Sequence, residues 1–394
     1  MTKPTISILY TNIGRGHPFY LDGIVETMAR SGEGGFVMDK TDVFAVSRGP
    51  AAAGWRLAHW LYHRGSSGGL TGSVYGLVRS NTDYNRPSLM LRIMGRDIVS
   101  KYRDLADPLL VAHPSLVGML AGRPNLIYQH GELVAPRESI VKGAATVIVP
   151  TSEVASVFGE AGYDRDAILV SGLCIEPALI GQADDAYRLR MERYSKGQGL
   201  TGAFFSSGAE PAMHVERLVT ASLSHLRCRG KVVIFAGRGG RLDAAVRRRY
   251  RGEGEDLVIL NSLSEIPSEP PEAALVDYDS RRVEEQFCSR LFANLDFCVA
   301  PSHERSNWAL GLGMPMFILM PTIGPFAPLN CRLLRDKGVA EIIDSDDSAR
   351  SFGEMIIEFA RDGSLAGMAS AGWGKYSIDG FERIVQHICE TYQQ

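Results

Sequence analysis

Apolar positions along this chain follow two rhythms. One is the short, nearly continuous apolar run, as in KVVIFAG at 231–237 and MPMFILMP at 314–321. Runs that are apolar on both faces suit parallel strands covered by helices on either side. The other rhythm places apolar residues three and four apart, as in Phe19, Leu21, Ile24, Val25 and Met28, which marks one face of a helix. The two rhythms alternate, and glycines often stand between them, which is the pattern of βαβ units. Strands are expected at 5–10, 35–38, 108–112, 125–128, 145–149 and 167–171, and then at 201–206, 231–236, 257–260, 273–276, 296–300 and 315–320. A short helix is expected at 308–312, and a last one in 373–394, where Phe381, Ile384, Val385, Ile388 and Tyr392 share a face.

The alternation breaks near 174–200, a polar stretch ending in Lys196-Gly197-Gln198-Gly199. A second strand-glycine-helix unit starts directly after it. The chain therefore reads as a doubly wound α/β domain over 1–175, a linker over 176–199, a second doubly wound domain over 200–372, and a helix over 373–394 that packs back across the domains. A length of 394 residues is enough for two such domains.

Charge and cysteine usage narrow the class. A net charge of -3 argues against a dedicated nucleic-acid binder. The six cysteines include no CxxC pair and no metal-ligand spacing, as expected of reduced, mostly buried thiols in a cytoplasmic protein. The amino terminus shows no basic-then-apolar signal, and no apolar run has membrane-spanning length. One segment departs from the average. Residues 48–103 hold nine Lys/Arg against Asp83 and Asp97, interleaved with Trp55, Trp60, Tyr62, Tyr75, Tyr84 and Tyr102. Such a segment suits an anionic membrane surface on the inner, cytoplasmic face, and it equally suits two ordinary amphipathic helices with basic outer faces.

Open parallel sheets hold ligands at the carboxyl ends of their strands, so the residues following each strand are the candidates. The first run leads into Gly14-Arg15-Gly16-His17. His17 suits proton transfer near neutral pH, or it caps the helix that follows. His113 follows the strand at 108–112, and Gln129, His130, Gly131 and Glu132 follow the one at 125–128. These histidines lie on separate loops with no zinc-ligand spacing; an acceptor pocket formed by Gly16, His113, His130 and Glu132 is the favoured reading. In the second half, Ser206, Ser207 and Gly208 precede a helix whose N–H groups and dipole suit a phosphate, or simply cap it. Gly237 and Arg238 open a glycine loop that reaches either phosphate or solvent. The densest polar loop holds Ser302, His303, Glu304, Arg305, Ser306 and Asn307, with Asn330 further on. Crowded polar groups at one strand end are what a ligand site requires.

Together these stretches resemble the GT-B glycosyltransferases, in particular the group of monogalactosyldiacylglycerol synthase, processive diacylglycerol glucosyltransferase and the peptidoglycan N-acetylglucosaminyltransferase MurG. The likeness rests on the loop ending in Gly16-His17, on GSVYGLVRS and DPLLVAHPS within 55–120, on VIVPTSEVASVFGEAGYDRDAILVSGLCIEPAL, and on the strand, loop and helix of 296–340 with Asn330 and Gly338. It implies two Rossmann-like domains facing across a cleft, with His17 acting on the acceptor hydroxyl as base or positioning group. Loops 206–210, 237–241 and 302–307 would bind a nucleotide-sugar donor, a UDP-sugar in the ordinary case. The reaction implied is inverting transfer to a lipid-like or other hydrophobic acceptor. No metal and no cofactor are implied, because helix N-termini and arginines can neutralise the diphosphate. One departure stands out: Trp308 sits where the group carries the glutamate that grips the ribose hydroxyls. Two other readings remain: a nucleotide-sugar hydrolase or epimerase on the same fold, and a non-catalytic sugar- or lipid-binding relic of it.

Overall fold

The computed structural model describes residues 5–11, 16–31, 36–66, 83–86, 88–197, 199–267 and 269–392, with backbone alone at 16–17 and 62–66. The chain divides into two units, 1–177 with 377–394, and 178–376.

The first unit is built on six parallel strands: β1 (Thr5–Tyr10), β2 (Val37–Asp42), β3 (Leu109–Val111), β4 (Leu126–Gln129), β5 (Thr146–Val149) and β6 (Ile168–Val170), in the order β2-β1-β3-β4-β5-β6. Because side chains alternate along a strand, each strand feeds two cores. Ile6, Ile8, Leu110, Ile127 and Ile148 pack with Phe19, Leu21 and Ile24 of the helix Gly16–Ser31 and with Phe381, Ile384 and Ile388 of the helix Gly380–Tyr392. Leu9, Leu109, Val111, Tyr128, Val147 and Val149 pack on the other face with Trp55, Met94, Ile98, Leu116 and Phe158. Covering both faces explains why these strands are apolar throughout rather than alternating. The last helix returns to this unit through an antiparallel bridge between Cys174 and Asp379. It seats the Phe381 ring over Gly23, where a Cβ would lie 2.1 Å from the ring.

The second unit has seven parallel strands: β7 (Thr201–Phe205), β8 (Lys231–Gly237), β9 (Val258–Leu260), β10 (Ala273–Tyr278), β11 (Phe297–Ala300), β12 (Met316–Leu319) and β13 (Ala340–Ile343), in the order β13-β12-β11-β7-β8-β10-β9. All twelve expected strands are present. The edge strand β13 was not anticipated, because the short AEII run has no apolar pattern of its own. β2 extends to Asp42 through polar residues, which its edge position tolerates. No helix among the described residues is long and apolar enough to cross a membrane.

The stretch expected as a linker, 176–199, instead contains the helices Pro177–Ile180 and Ala183–Lys196. Its polar residues are what fasten it. Arg190 is fully buried and donates from Nε to the Leu295 carbonyl at 3.1 Å, and from Nη1 to those of Leu312 at 2.9 Å and Gly313 at 3.0 Å. Arg193 Nε donates to Asp296 Oδ1 at 2.6 Å, and Tyr194 donates to the Asp296 carbonyl. Asp296, itself fully buried, clips two strands together. Its Oδ2 accepts from the Thr201 N–H at 2.7 Å, and its own N–H donates to the Thr201 carbonyl at 2.8 Å. This fixes the pairing Phe297↔Gly202 between β11 and β7.

Each unit also encloses a histidine. His130 Nε2 pairs with the Val134 carbonyl at 3.1 Å, and His225 Nε2 with the Leu200 carbonyl at 2.9 Å. Burial pushes both imidazoles down to about 4.

Two outcomes follow. Asp296→Ala removes an acceptor from Thr201 and a partner from Arg193, and should destabilise the second unit by about 3 kcal/mol in urea titrations. The histidines predict a pH dependence. Both are neutral in the fold and titrate near 6.5 when unfolded, so their contribution is complete above pH 6.5 and is lost as pH falls towards 4. Holding each imidazole at about 4 rather than 6.5 corresponds to about 3 kcal/mol per histidine. Urea midpoints measured from pH 7 to pH 4 should fall, and His225→Phe should flatten part of that fall.

Candidate functional site

Each sheet contains one point where the strand order reverses. In the second sheet the chain leaves β7 for β8, continues to β9 and β10 on that side, and returns to β11 on the other side of β7. Loops leaving two such strands diverge and open a crevice at their carboxyl ends. The pairing Phe204↔Val299 brings the end of β7 level with the end of β11, so Ser206 and Pro301 begin the two loops side by side.

The loop after β7 turns tightly: the Glu210 N–H donates to the Ser207 carbonyl at 3.0 Å, with Glu210 at φ +43°. It feeds the helix Ala212–Arg227, whose N-cap position is Pro211, a residue without a capping side chain. The N–H groups of Ala212, Met213 and His214 have no acceptor among the described residues. Ser206 Oγ is buried and also lacks a partner. Beside it, the buried His214 donates from Nε2 to the Pro321 carbonyl at 2.7 Å, which leaves Nδ1 as an acceptor with no partner. Burial lowers the His214 imidazole, and the neighbouring His303 lowers it further; His303 is itself lowered by burial. Two neutral imidazoles, an unmatched hydroxyl and an open helix N-terminus therefore meet at this edge. They can hydrogen-bond hydroxyls and receive an anion.

The adjoining loop after β8 is differently committed. Glu210 Oε2 accepts from the N–H groups of Arg241 at 2.5 Å and Leu242 at 3.2 Å, so a carboxylate already sits on the N-terminus of the helix Arg241–Glu253. Asp243 accepts from the Gly239 N–H at 3.0 Å. Arg238 pairs with Asp277 at 3.1 Å, and Asp277 also holds Arg247 at 2.9 Å. Gly237 and Arg238, expected as donor contacts, thus belong to an internally paired loop.

The loop after β11 supplies both rim and floor. Ser302 Oγ donates to the Ala327 carbonyl at 2.8 Å, and Asn330 Nδ2 donates to the Ser302 carbonyl at 3.0 Å; both side chains are fully buried. Arg305 pairs with the buried Glu284 at 3.2 Å and lies over the rings of Trp308 and Phe205, at 4.2 and 4.7 Å. Ser306 and Asn307 are buried beneath, and Trp308 is a core ring packed edge-on to Phe205 and Phe292. Of the expected donor set, Ser206, Ser207, Gly208, His303 and Glu304 remain at the accessible edge. Ser302, Arg305 and Asn330 hold the loop in place from below; Ser306 and Asn307 are buried there, and the Ser306 hydroxyl has no partner among the described residues. His214 was missed by the sequence reading, although its position three residues after Pro211, in a first helical turn, was the available signal.

In the first sheet the order reverses at β1, between β2 and β3. The loops that lead to His17 and His113 follow these adjacent strands. The backbone puts His17 in the first turn of the helix Gly16–Ser31; the side chains of Gly16 and His17 lie outside the described residues. His113 caps the helix Pro114–Met119, with Nδ1 accepting from the Ser115 N–H at 3.2 Å. His130 is enclosed by Tyr128 and Phe158, its Nδ1 lying 3.3 Å from the Tyr128 hydroxyl. Its ring nitrogens therefore serve the unit's interior rather than an open pocket. Gly131 passes directly under the Tyr20 ring, and Glu132 is half-buried.

No protein-family model matches the chain, and no curated protein matches it. Solved structures match it over nearly its whole length. A Listeria monocytogenes protein assigned as a UDP-N-acetylglucosamine 2-epimerase aligns with TM-score 0.56 at 11% identity, covering 100% of this chain and 98% of that one. S. aureus MnaA, solved with UDP, aligns with TM-score 0.54 at 11% identity, covering 99% and 97%. The glycotransferase of kitacinnamycin aligns with TM-score 0.50 at 14% identity, covering 99% of both chains. At these identities the likeness is one of fold. The two parallel-sheet α/β units have the GT-B fold.

The assignment of Arg305 to the loop's support is testable without any ligand. Arg305→Ala removes the ion pair at 3.2 Å from the buried Glu284, and should lower stability by about 3 kcal/mol in thermal or urea unfolding. A side chain that only touched a donor would leave unliganded stability unchanged.

Proposed function

We propose that this chain is an enzyme acting on a nucleotide-diphosphate sugar, with a UDP-sugar as donor, and that it transfers the sugar to an acceptor hydroxyl at the strand ends of the first unit. One observation carries the donor half of this reading. At the β7–β11 reversal, an open helix N-terminus stands beside the unmatched Ser206 hydroxyl and the neutral His214 and His303. The exposed N–H groups and the helix dipole suit a diphosphate and would stabilise the charge that grows on it as the sugar–phosphate bond breaks. The neutral imidazoles and Ser206 suit ribose or sugar hydroxyls. Trp308 is buried in the core, and the half-buried Glu304 at this edge would accept from the ribose hydroxyls.

On the acceptor side, His17 follows β1 at the reversal of the first sheet, where a base would take the hydroxyl proton. The lipid-like or hydrophobic acceptor is supported by the sequence resemblance over 55–120. A second reading, epimerisation of the donor sugar, is supported by the fold likeness to proteins named as UDP-N-acetylglucosamine 2-epimerases. Both reactions would use the same donor grip.

Calorimetry with UDP, GDP and ADP, followed by proton NMR of UDP-sugars with and without acceptor, separates these readings. UDP should bind. Ser206→Ala should weaken that binding about tenfold, while leaving the unliganded protein at least as stable, because an unmatched buried hydroxyl is removed. Release of UDP only when acceptor is present supports transfer, and a new sugar epimer without acceptor supports the second reading. His17→Ala should abolish turnover with UDP binding intact. No binding of any nucleotide would sink both reactions and leave the non-catalytic relic.

A further inference from the structure

The helices Gly16–Ser31 and Gly380–Tyr392 of the first unit run side by side in the same direction. The Phe381 ring seals them together over Gly23, and beyond that contact a groove of about 640 Å³ opens between their last turns. Its size falls in the range of small-molecule sites. The buried Val385 and Cys389 give it an apolar floor, Glu382, Gln386 and Glu390 stand along one side, and Thr27 lines the other.

Thr27 is the group that the fold leaves unanswered. It is 6% exposed, yet its Oγ1 has no hydrogen-bond partner among the described residues. Ser31, one turn further along the same wall, is already committed, its Oγ donating to the Met28 carbonyl at 3.1 Å. A buried hydroxyl without a partner carries a desolvation penalty that a polar ligand in the groove would relieve.

The charge of the groove has one sign. No lysine or arginine among the described residues lines it. Arg30, in the last turn of the first helix, is paired with Glu26 at 2.5 Å, and Glu390 accepts from Gln386 Nε2 at 2.8 Å. Both helices end at this place, so their carbonyl ends add to the negative potential. Glu382 and Glu390 are eight residues apart, which is about 12 Å along the helix axis. A single metal ion needs its oxygen ligands gathered around it and could meet one of these carboxylates at a time. Two separated carboxylates with an apolar floor between them suit a methylene chain carrying an ammonium group at each end.

We propose that this groove binds a linear aliphatic triamine, with its terminal ammonium groups on Glu382 and Glu390, its methylenes over Val385 and Cys389, and an amine N–H donating to Thr27 Oγ1. The bound chain would fasten the returning last helix to the first. The proposal concerns the first unit alone and stands whether or not the nucleotide-sugar reading holds.

Calorimetry and thermal melts of the full chain with spermidine, putrescine and magnesium chloride test it. Spermidine should bind and raise the melting temperature, since a ligand of the folded state stabilises it by mass action. Putrescine, too short to span both carboxylates, should bind about tenfold more weakly, and magnesium at matched ionic strength should give no shift. Glu382→Gln with Glu390→Gln should weaken spermidine binding about tenfold. Thr27→Val should weaken it about fivefold, while the unliganded protein melts at least as high, because an unmatched buried hydroxyl is removed. Melts without ligand show whether each variant is folded. Absence of spermidine binding, an equal shift with magnesium, or undiminished binding by either folded variant would overturn the proposal.

Discussion

A buried carboxylate at one edge of the second sheet fixes what happens at the other. Asp296 bonds Thr201 from both its side chain and its backbone, and so locks β11 against β7 at their amino ends. Strands are rigid rulers, so the register set there decides which residues meet one strand length away. Gly202 makes the pairing possible, because a Cβ there would lie 2.6 Å from the Phe297 ring. Burial raises the Asp296 carboxyl and Arg193 opposes that rise, while Arg190 ties the same helix to the carbonyls of Leu312 and Gly313 ahead of β12. The helix at 183–196 is thus part of the device that aims the ligand edge.

At that edge the charged side chains divide into two classes. Arg238, Arg247 and Arg305 are paired with Asp277, Asp243 and Glu284, and Glu210 occupies a helix N-terminus. Their pairing holds loop shape and leaves little free charge for a ligand. Beside them stand the Ser206 hydroxyl, two imidazoles lowered by burial, the N–H groups of one long helix and the half-buried Glu304 carboxylate. An anion held at this edge would meet oriented dipoles rather than a buried, unpaired cation with its desolvation penalty.

The first unit distributes its residues differently. Its sheet is covered on both faces, and the carboxyl-end residues after β3 and β4 mostly serve local structure. His113 caps a helix, His130 fills a cage of rings, and Gly131 lies under Tyr20. The same economy does not extend to the helices at 49–66 and 89–102, which present large aliphatic side chains outward beside arginines.

The sequence by itself determined the alternation of strands and helices, and twelve of the strands, because period and continuity of apolar residues are local properties that burial on both faces imposes. It also placed the polar loops directly after the strands they follow, since chain order carries that information. It could not show which polar residues in those loops were available. Arg305, Asn330 and Ser302 look like ligand groups in a string of letters, and only packing revealed their partners 21 to 28 residues away. The polar stretch at 176–199 looked like a linker because buried arginines satisfied by backbone carbonyls leave no apolar signature. The buried Ser206 hydroxyl and His214 Nδ1, like the Ser306 hydroxyl, have no hydrogen-bond partner among the described residues, a property that chain order does not carry. Tertiary structure decided these points because a hydrogen bond depends on distance in space, and the sequence orders residues only along the chain.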